Sequence, residues 1–117
     1  MNLAVIETDP GRRRWRFPAR FGSVAADLRV TAATVDGRPV PVVLVYHVKT
    51  WPRSRGLFTA WVAELERFAS ARGLGVYMHN VLRPDRLGLY LERRGYRNIG
   101  PEPGATIPRS YLWEPTP

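Results

Sequence analysis

Arg53, Ser54, Arg55 and Gly56 stand between an apolar run and a strongly amphipathic segment. If that segment is a helix, the loop delivers its N-terminus, where unpaired backbone N–H groups and the positive end of the helix dipole suit a phosphate. The guanidiniums of Arg53 and Arg55 add charge-assisted donors of the bidentate kind. The same residues also read as a solvated basic loop closing a strand. Acid–base capacity comes from few groups. His47 falls near the end of the apolar run and could deprotonate an incoming amine, because an unperturbed imidazole titrates near pH ~6.5. It reads equally as a core histidine bonded to a backbone carbonyl. His79 closes a second apolar run, where the two rings could meet across adjacent strands. Tyr90 is either a phenolic acid or an ordinary half-buried helix residue. Two histidines without neighbouring carboxylates make a poor metal site, so no metal is expected. None of the four serines sits in a Gly-x-Ser-x-Gly elbow.

A second constellation lies nearer the start. Arg12, Arg13, Arg14, Arg16 and Arg20 are interleaved with Trp15 and Phe17. Arginine with aromatic side chains can hold single-stranded nucleic acid through phosphate contacts and stacking. The run also fits docking on an acidic protein, or a surface segment that pins its aromatics to the core and leaves its charges in water.

The elements that carry these groups follow from pattern and punctuation. Residues 2–7 read as a first strand, ended by the turn Asp9-Pro10-Gly11. Residues 21–28 suggest one or two helical turns, and 29–35 a strand. Asp36-Gly37 signals a two-residue hairpin turn of type I′. Pro39 and Pro41 cannot donate to a ladder, so regular pairing is expected from Val42. Residues 42–48 are apolar at every position but Tyr46 and His47, as befits a central strand. Residues 57–72 repeat Leu57, Phe58, Trp61, Val62, Leu65, Phe68 and Ala69 at helical spacing, and Gly73 ends the helix. Residues 76–82 form the next strand, joined to the first through a parallel crossover. A second helix covers 85–94, with Pro84 and Asp85 at its start and Gly95 at its end. The tail from Pro101 holds five prolines, and within it residues 110–114 suit a last edge strand.

Composition sets the outer limits. At 117 residues with 44% apolar content, the chain is one domain, residues 1–117, with a modest core. Its 18 basic residues, all arginine but Lys49, outnumber 10 acidic ones for a net charge of +8, which attracts nucleic acid, phosphorylated cofactors or acidic surfaces. Absence of cysteine excludes disulfides and thiolate catalysis. No signal-peptide pattern and no run near ~20 apolar residues is present, so the expected location is cytoplasmic, without membrane partners.

The strand, Gly-punctuated loop, helix, strand, helix order from Val42 to Gly100 resembles the GNAT superfamily of N-acetyltransferases, over about half the chain. Arg53-Ser54-Arg55-Gly56-Leu57-Phe58 aligns with that family's Arg/Gln-x-x-Gly-x-Gly/Ala loop, matching its first two elements but not its third, where Phe58 stands. Pro84, Leu87, Leu91 and Gly95-Tyr96 align with the family's Asn-x-x-Ala-x-x-x-Tyr-x-x-x-Gly-Phe. Leu91 therefore occupies the position of the family's tyrosine, the acid for the departing thiolate, and Tyr90 lies one residue earlier. The resemblance implies an α/β (α+β) fold with a mixed, mostly antiparallel sheet, a central parallel strand pair and a GNAT-like β-loop-α-β-α core. It implies acetyl-CoA as co-substrate and an unknown amine as acceptor. The cofactor would be held by Val48, Arg53, Ser54, Arg55, Gly56, Leu57 and Phe58, with His47 and Tyr90 as catalytic candidates. The alternative is a catalytically inactive GNAT-fold accessory or structural protein. If phage-encoded, it would work in the host cytoplasm or the virion, docked on an acidic protein or nucleic acid through Arg12, Arg13, Arg14 and Arg16. A homo-oligomer is compatible with either.

Overall fold

A computed structural model describes residues 11–17, 22–51, 55–81, 87–100 and 109–115. In chain order the elements are β1 (Gly11–Phe17), β2 (Gly22–Val35), β3 (Arg38–Trp51), α1 (Arg55–Ala71), β4 (Gly75–Val81), α2 (Leu89–Arg93), β5 (Arg97–Gly100) and β6 (Arg109–Trp113). They make an α+β fold around one six-stranded mixed sheet in the order β1-β2-β3-β4-β6-β5. Every neighbouring pair is antiparallel except β3 and β4, the central two. The first expected strand, residues 2–7, and its turn at Asp9-Pro10 lie outside the described residues.

The β2–β3 hairpin turns where expected. Val35 pairs with Arg38 across Asp36 and Gly37, whose φ angles are 52° and 79°. Positive φ at both central residues is what a type I′ turn demands, and its twist matches that of the strands it joins. The ladder then runs unbroken from Arg38 to the Asp27–Tyr46 pair, and starts at Arg38, not at Val42 as the prolines suggested. Pairs in such a hairpin alternate between hydrogen-bonded and non-bonded, starting with a bonded pair at the turn. Pro39 (opposite Thr34) and Pro41 (opposite Ala32) fall on the non-bonded positions. Their missing N–H groups would have pointed away from β2, on the side where β4 begins only at the Val42–Gly75 pair. Residues 22–28, expected to be helical together with Phe21, belong to β2, and Phe21 lies outside the described residues. Alanines 25 and 26 favour a helix in isolation, but here strands on both sides satisfy the backbone.

The helix α1 forms as its apolar stripe requires. Trp61, Val62, Leu65, Phe68 and Ala69 are buried, while Arg67 and Ser70 face solvent. Its C-terminus closes by the two bonds of a Schellman turn: Gly73 N–H donates to Ser70 O at 3.2 Å and Leu74 N–H to Ala69 O at 2.9 Å. Gly73 takes φ 67°, a conformation open to glycine at little cost. The shorter α2, preceded by a widened turn at Leu87–Gly88, ends in the same way. Gly95 takes φ 96°, and Tyr96 N–H donates to Leu91 O at 2.9 Å.

Both helices pack on one face of the sheet. Ala26, Leu28, Val43, Val45, Val76 and Met78 from the strands meet the buried faces of α1 and α2 in the main core. The opposite face carries a smaller cluster, in which Val35, Val42 and Leu112 are joined by Leu44, Tyr77 and Ile99 and no helical residue takes part. The last strand, β6, is not at the edge as the tail suggested. It inserts between β4 and β5, so β5, a short strand unseen in the sequence pattern, is outermost on that side. Among the described residues no helix is long and apolar enough to cross a membrane.

Candidate functional site

The site begins where the two parallel strands part. β3 and β4 pair from Val42–Gly75 to Val45–Met78 and no further, although β3 runs on to Trp51 and β4 to Val81. Backbone groups of β3 beyond Val45 therefore have no β4 partner on that side. Just past the fork β3 is bulged. Asp27 pairs with Tyr46 and Ala25 with Lys49, so Ala26 alone faces both His47 and Val48. One extra residue in a strand bends it and sharpens its twist.

The start of α1 follows the end of β3, six residues beyond the fork. Three residues separate Trp51 from Arg55, so their Cα atoms stand at most ~14 Å apart. The N–H groups of Arg55, Gly56 and Leu57, the first three residues of the helix, have no acceptor within it. No acidic residue occupies this first turn, and Gly56 is exposed. Nothing in the turn itself offsets the positive end of the helix dipole, which leaves it suited to an anion.

Phe58 resolves the question its bulk raised. Its half-buried ring packs against the main core. The ring centroid stands 6.2 Å from that of Trp61 and 5.8 Å from that of Tyr90, the latter edge-on. The side chain therefore lies between α1 and α2 and not over the helix mouth. Tyr90 rests against the same ring, and its hydroxyl donates to Thr59 Oγ1 at 3.1 Å. Thr59 belongs to the site and went unnoticed in the sequence. Its partner lies 31 residues away, and no local pattern links them.

The remaining candidates sort as follows. His47 and Val48 are the two residues of the bulge; Val48 packs against the main core, so only its backbone is available to the fork. Arg53 and Ser54 lie outside the described residues. Arg55 and Leu57 stand in the first turn of α1. Leu91 is fully buried in the main core. His79 does not have His47 as its register neighbour. The Val45–Met78 pair sets Tyr46 next to it, and the Tyr46 and His79 rings meet edge-on at 5.5 Å. Among the described residues no group of His, Cys, Asp and Glu could hold a metal ion.

A charged tie locks α2 against α1 behind the site. Arg94 donates from Nε and Nη2 to the two carboxylate oxygens of Glu66, at 3.1 and 2.5 Å. This bidentate, partly buried pairing is of the stronger kind, and the Glu66 hydrogen bond raises the Arg94 pKa above its ordinary value. The buried Tyr96 hydroxyl lies near the same carboxylate without a well-formed hydrogen bond. Burial first, and the charge of Glu66 second, push its ionisation well above the ordinary tyrosine value of 10.0. Comparison with known proteins adds no relative: no family model matches this chain, and neither a curated protein nor a solved structure matches it.

Proposed function

We propose that this chain is a GNAT-like N-acetyltransferase that moves the acetyl group of acetyl-CoA onto an amine. The observations that carry the reading are the parting of β3 from β4 after Val45 and Met78 and, following β3 in the chain, a carboxylate-free first turn of α1 with Gly56 exposed. That arrangement pairs a cleft between strands with an anion-binding helix end. The first-turn amides from Arg55 to Leu57 would hold the pyrophosphate, and exposed Gly56 leaves room for close approach. Turned inward, the Phe58 ring does not cover those amides. The amine nitrogen attacks the thioester carbonyl carbon. The new C–N bond forms, the C–S bond breaks, the amine gives up a proton and the thiolate takes one. Backbone N–H groups of the bulged β3 would steady the oxyanion, and His47 or water would take the amine proton. Tyr90 is the candidate proton donor to the thiolate. Its O–H, now committed to Thr59, would have to swing free to serve.

One observation favours the second reading, an inactive GNAT-fold accessory protein. Leu91, at the position where the resemblance implies the acid tyrosine, is wholly buried and inert. Thermal unfolding with and without acetyl-CoA separates the two. A ligand bound only by the native state stabilises it by about 2.7 kcal/mol at a hundred times its dissociation constant. Millimolar acetyl-CoA is expected to raise Tm by several degrees under the first reading. An unchanged Tm rejects that reading in favour of the second.

A further inference from the structure

We infer that the sheet face turned away from α1 and α2 binds single-stranded nucleic acid. On β2, Ala26 and Leu28 enter the main core, so Asp27 and Arg29 belong to the opposite face. The register carries that alternation across the sheet. Arg12 and Arg14 of β1 stand at the positions opposite Asp27 and Ala25, and Arg16 opposite Ser23. Lys49 of β3 is the other partner of Ala25. This face thus gathers five basic positions (Arg12, Arg14, Arg16, Arg29, Lys49) around one acidic position, Asp27, in a chain of net charge +8. Alternate residues of a strand recur every ~6.8 Å, so the β1 arginine positions form a regular row along the outermost described strand of that side.

Rings lie on the same face two and three strands across the sheet from that row, about 10 and 14 Å away at ~4.8 Å per strand. Tyr46 is the β3 partner of Asp27, and His79 lies next to it on β4. The Tyr46 and His79 rings meet edge-on at 5.5 Å, while Tyr77 and His79 stack at 6.0 Å with 29° between their planes. His79 is exposed and the two tyrosines are half-buried. An acidic protein surface would be satisfied by the charges alone. Flat aromatic rings on the same face as the basic positions add stacking for unpaired bases, which a duplex keeps inside its own stack. The arginine-aromatic run of the sequence therefore takes on a different meaning as a strand. Period two separates Arg12, Arg14 and Arg16 from the Arg13, Trp15 and Phe17 positions and assigns the first set to the face that bears Tyr46 and His79. This inference stands apart from acetyl transfer and requires no acetyl-CoA.

Fluorescence anisotropy of a fluorescein-labelled oligothymidylate, read at rising salt, tests it. Binding is expected, with log K falling linearly in log salt by about 0.7 per phosphate engaged. Arg14→Gln and Arg29→Gln should each flatten the slope by about 0.7. His79→Ala, a change at an exposed position that leaves the fold intact, should weaken binding roughly five-fold or more at unchanged slope. Arg93→Gln, on the exposed side of α2, should leave both unchanged. The proposal is overturned by lack of binding, by Arg14→Gln and His79→Ala proteins that bind like the native chain, or by poly-glutamate displacing the probe as well as unlabelled oligothymidylate does.

Discussion

Arg97 of β5 reaches across to Asp36 at the tip of the β2–β3 hairpin, with 2.8 Å between Nη1 and Oδ2. In the sheet order β5 is separated from β3 by both β4 and β6. The contact therefore requires the sheet to curl until the hairpin tip approaches the far edge, over the small cluster of Val35, Val42 and Leu112. Arg97 also lies 3.9 Å from Glu114, so the cation sits between two carboxylates.

The Asp36–Arg97 pair sets a pH dependence of known sign. The Arg97 hydrogen bond and charge hold the Asp36 pKa below its ordinary value of 3.8. A carboxylate with a lowered native pKa stabilises the fold above its unfolded value, and that contribution fades as pH falls through the native value. Arg97→Gln should therefore be slightly less stable than the native chain at neutral pH, by an amount that added salt shrinks because both groups are exposed. The difference should vanish in acid, once the pH has fallen below the lowered native value of Asp36. Urea unfolding of the two proteins across pH measures it, and a difference that persists in acid would mean that Arg97 acts by packing instead.

Tyr96 acts at the other end of the scale. Its native pKa is raised, so the native state keeps a proton that the unfolded chain releases near 10.0. Stability must fall as pH rises above that value. Tyr96→Phe removes a buried hydroxyl without a well-formed partner, so it should cost less than about 1 kcal/mol at pH 7. Above pH ~10 the Phe protein should become the more stable of the two. Parallel loss of stability by both proteins in alkali would exclude Tyr96 as the source.

Much of this architecture could be read in advance, and the misses have physical causes. Asp36-Gly37 announced its hairpin, because few residue pairs tolerate two positive φ angles. The stripe from Phe58 to Ala69, with Gly73 behind it, announced α1 for the same local reason. Strand β1 did not announce itself: four arginines among seven residues mask any apolar alternation. The insertion of β6 between β4 and β5 is a long-range choice that no local pattern encodes. At the site, the loop-to-helix junction was visible in Gly56 and the segment after it. The inward turn of Phe58 was not, since it depends on Tyr90 in another helix.

Thr59 and Tyr90 can be separated by experiment. Tyr90→Phe and Thr59→Val each break the 3.1 Å bond and should each cost about 1 kcal/mol of stability. Their effects on catalysis should differ. If Tyr90 protonates the leaving thiolate, Tyr90→Phe lowers kcat, while Thr59→Val releases the hydroxyl and preserves turnover. Equal losses of kcat would reduce the pair to a strut between α1 and α2.

Gly56→Glu probes the helix mouth. A carboxylate in the first turn of α1 is favoured by the dipole by about 0.3–1 kcal/mol, so the fold should survive with Tm nearly unchanged. The same charge repels a pyrophosphate, and the Tm rise expected with acetyl-CoA should disappear. A rise of native size would put the ligand elsewhere on the molecule.

Gly75 is constrained by what surrounds it, between β3 and β6. A Cβ there would lie 2.8 Å from the Trp113 carbonyl oxygen and 3.3 to 3.4 Å from Leu112 and Val42 side-chain carbons. A backbone oxygen held in a ladder cannot yield. Gly75→Ala should cost about 1–3 kcal/mol in urea unfolding, and a neutral result would mean that β6 shifts freely along β4.

Pro39 and Pro41 deprive the early part of β3 of donors along its open side, ahead of the first β4 pair. A bare strand flank with free N–H groups recruits other chains into intermolecular sheets. Two imino residues, set where their own hairpin loses nothing, make this flank a poor template for self-association, and a concentrated solution of the protein should owe part of its clarity to them.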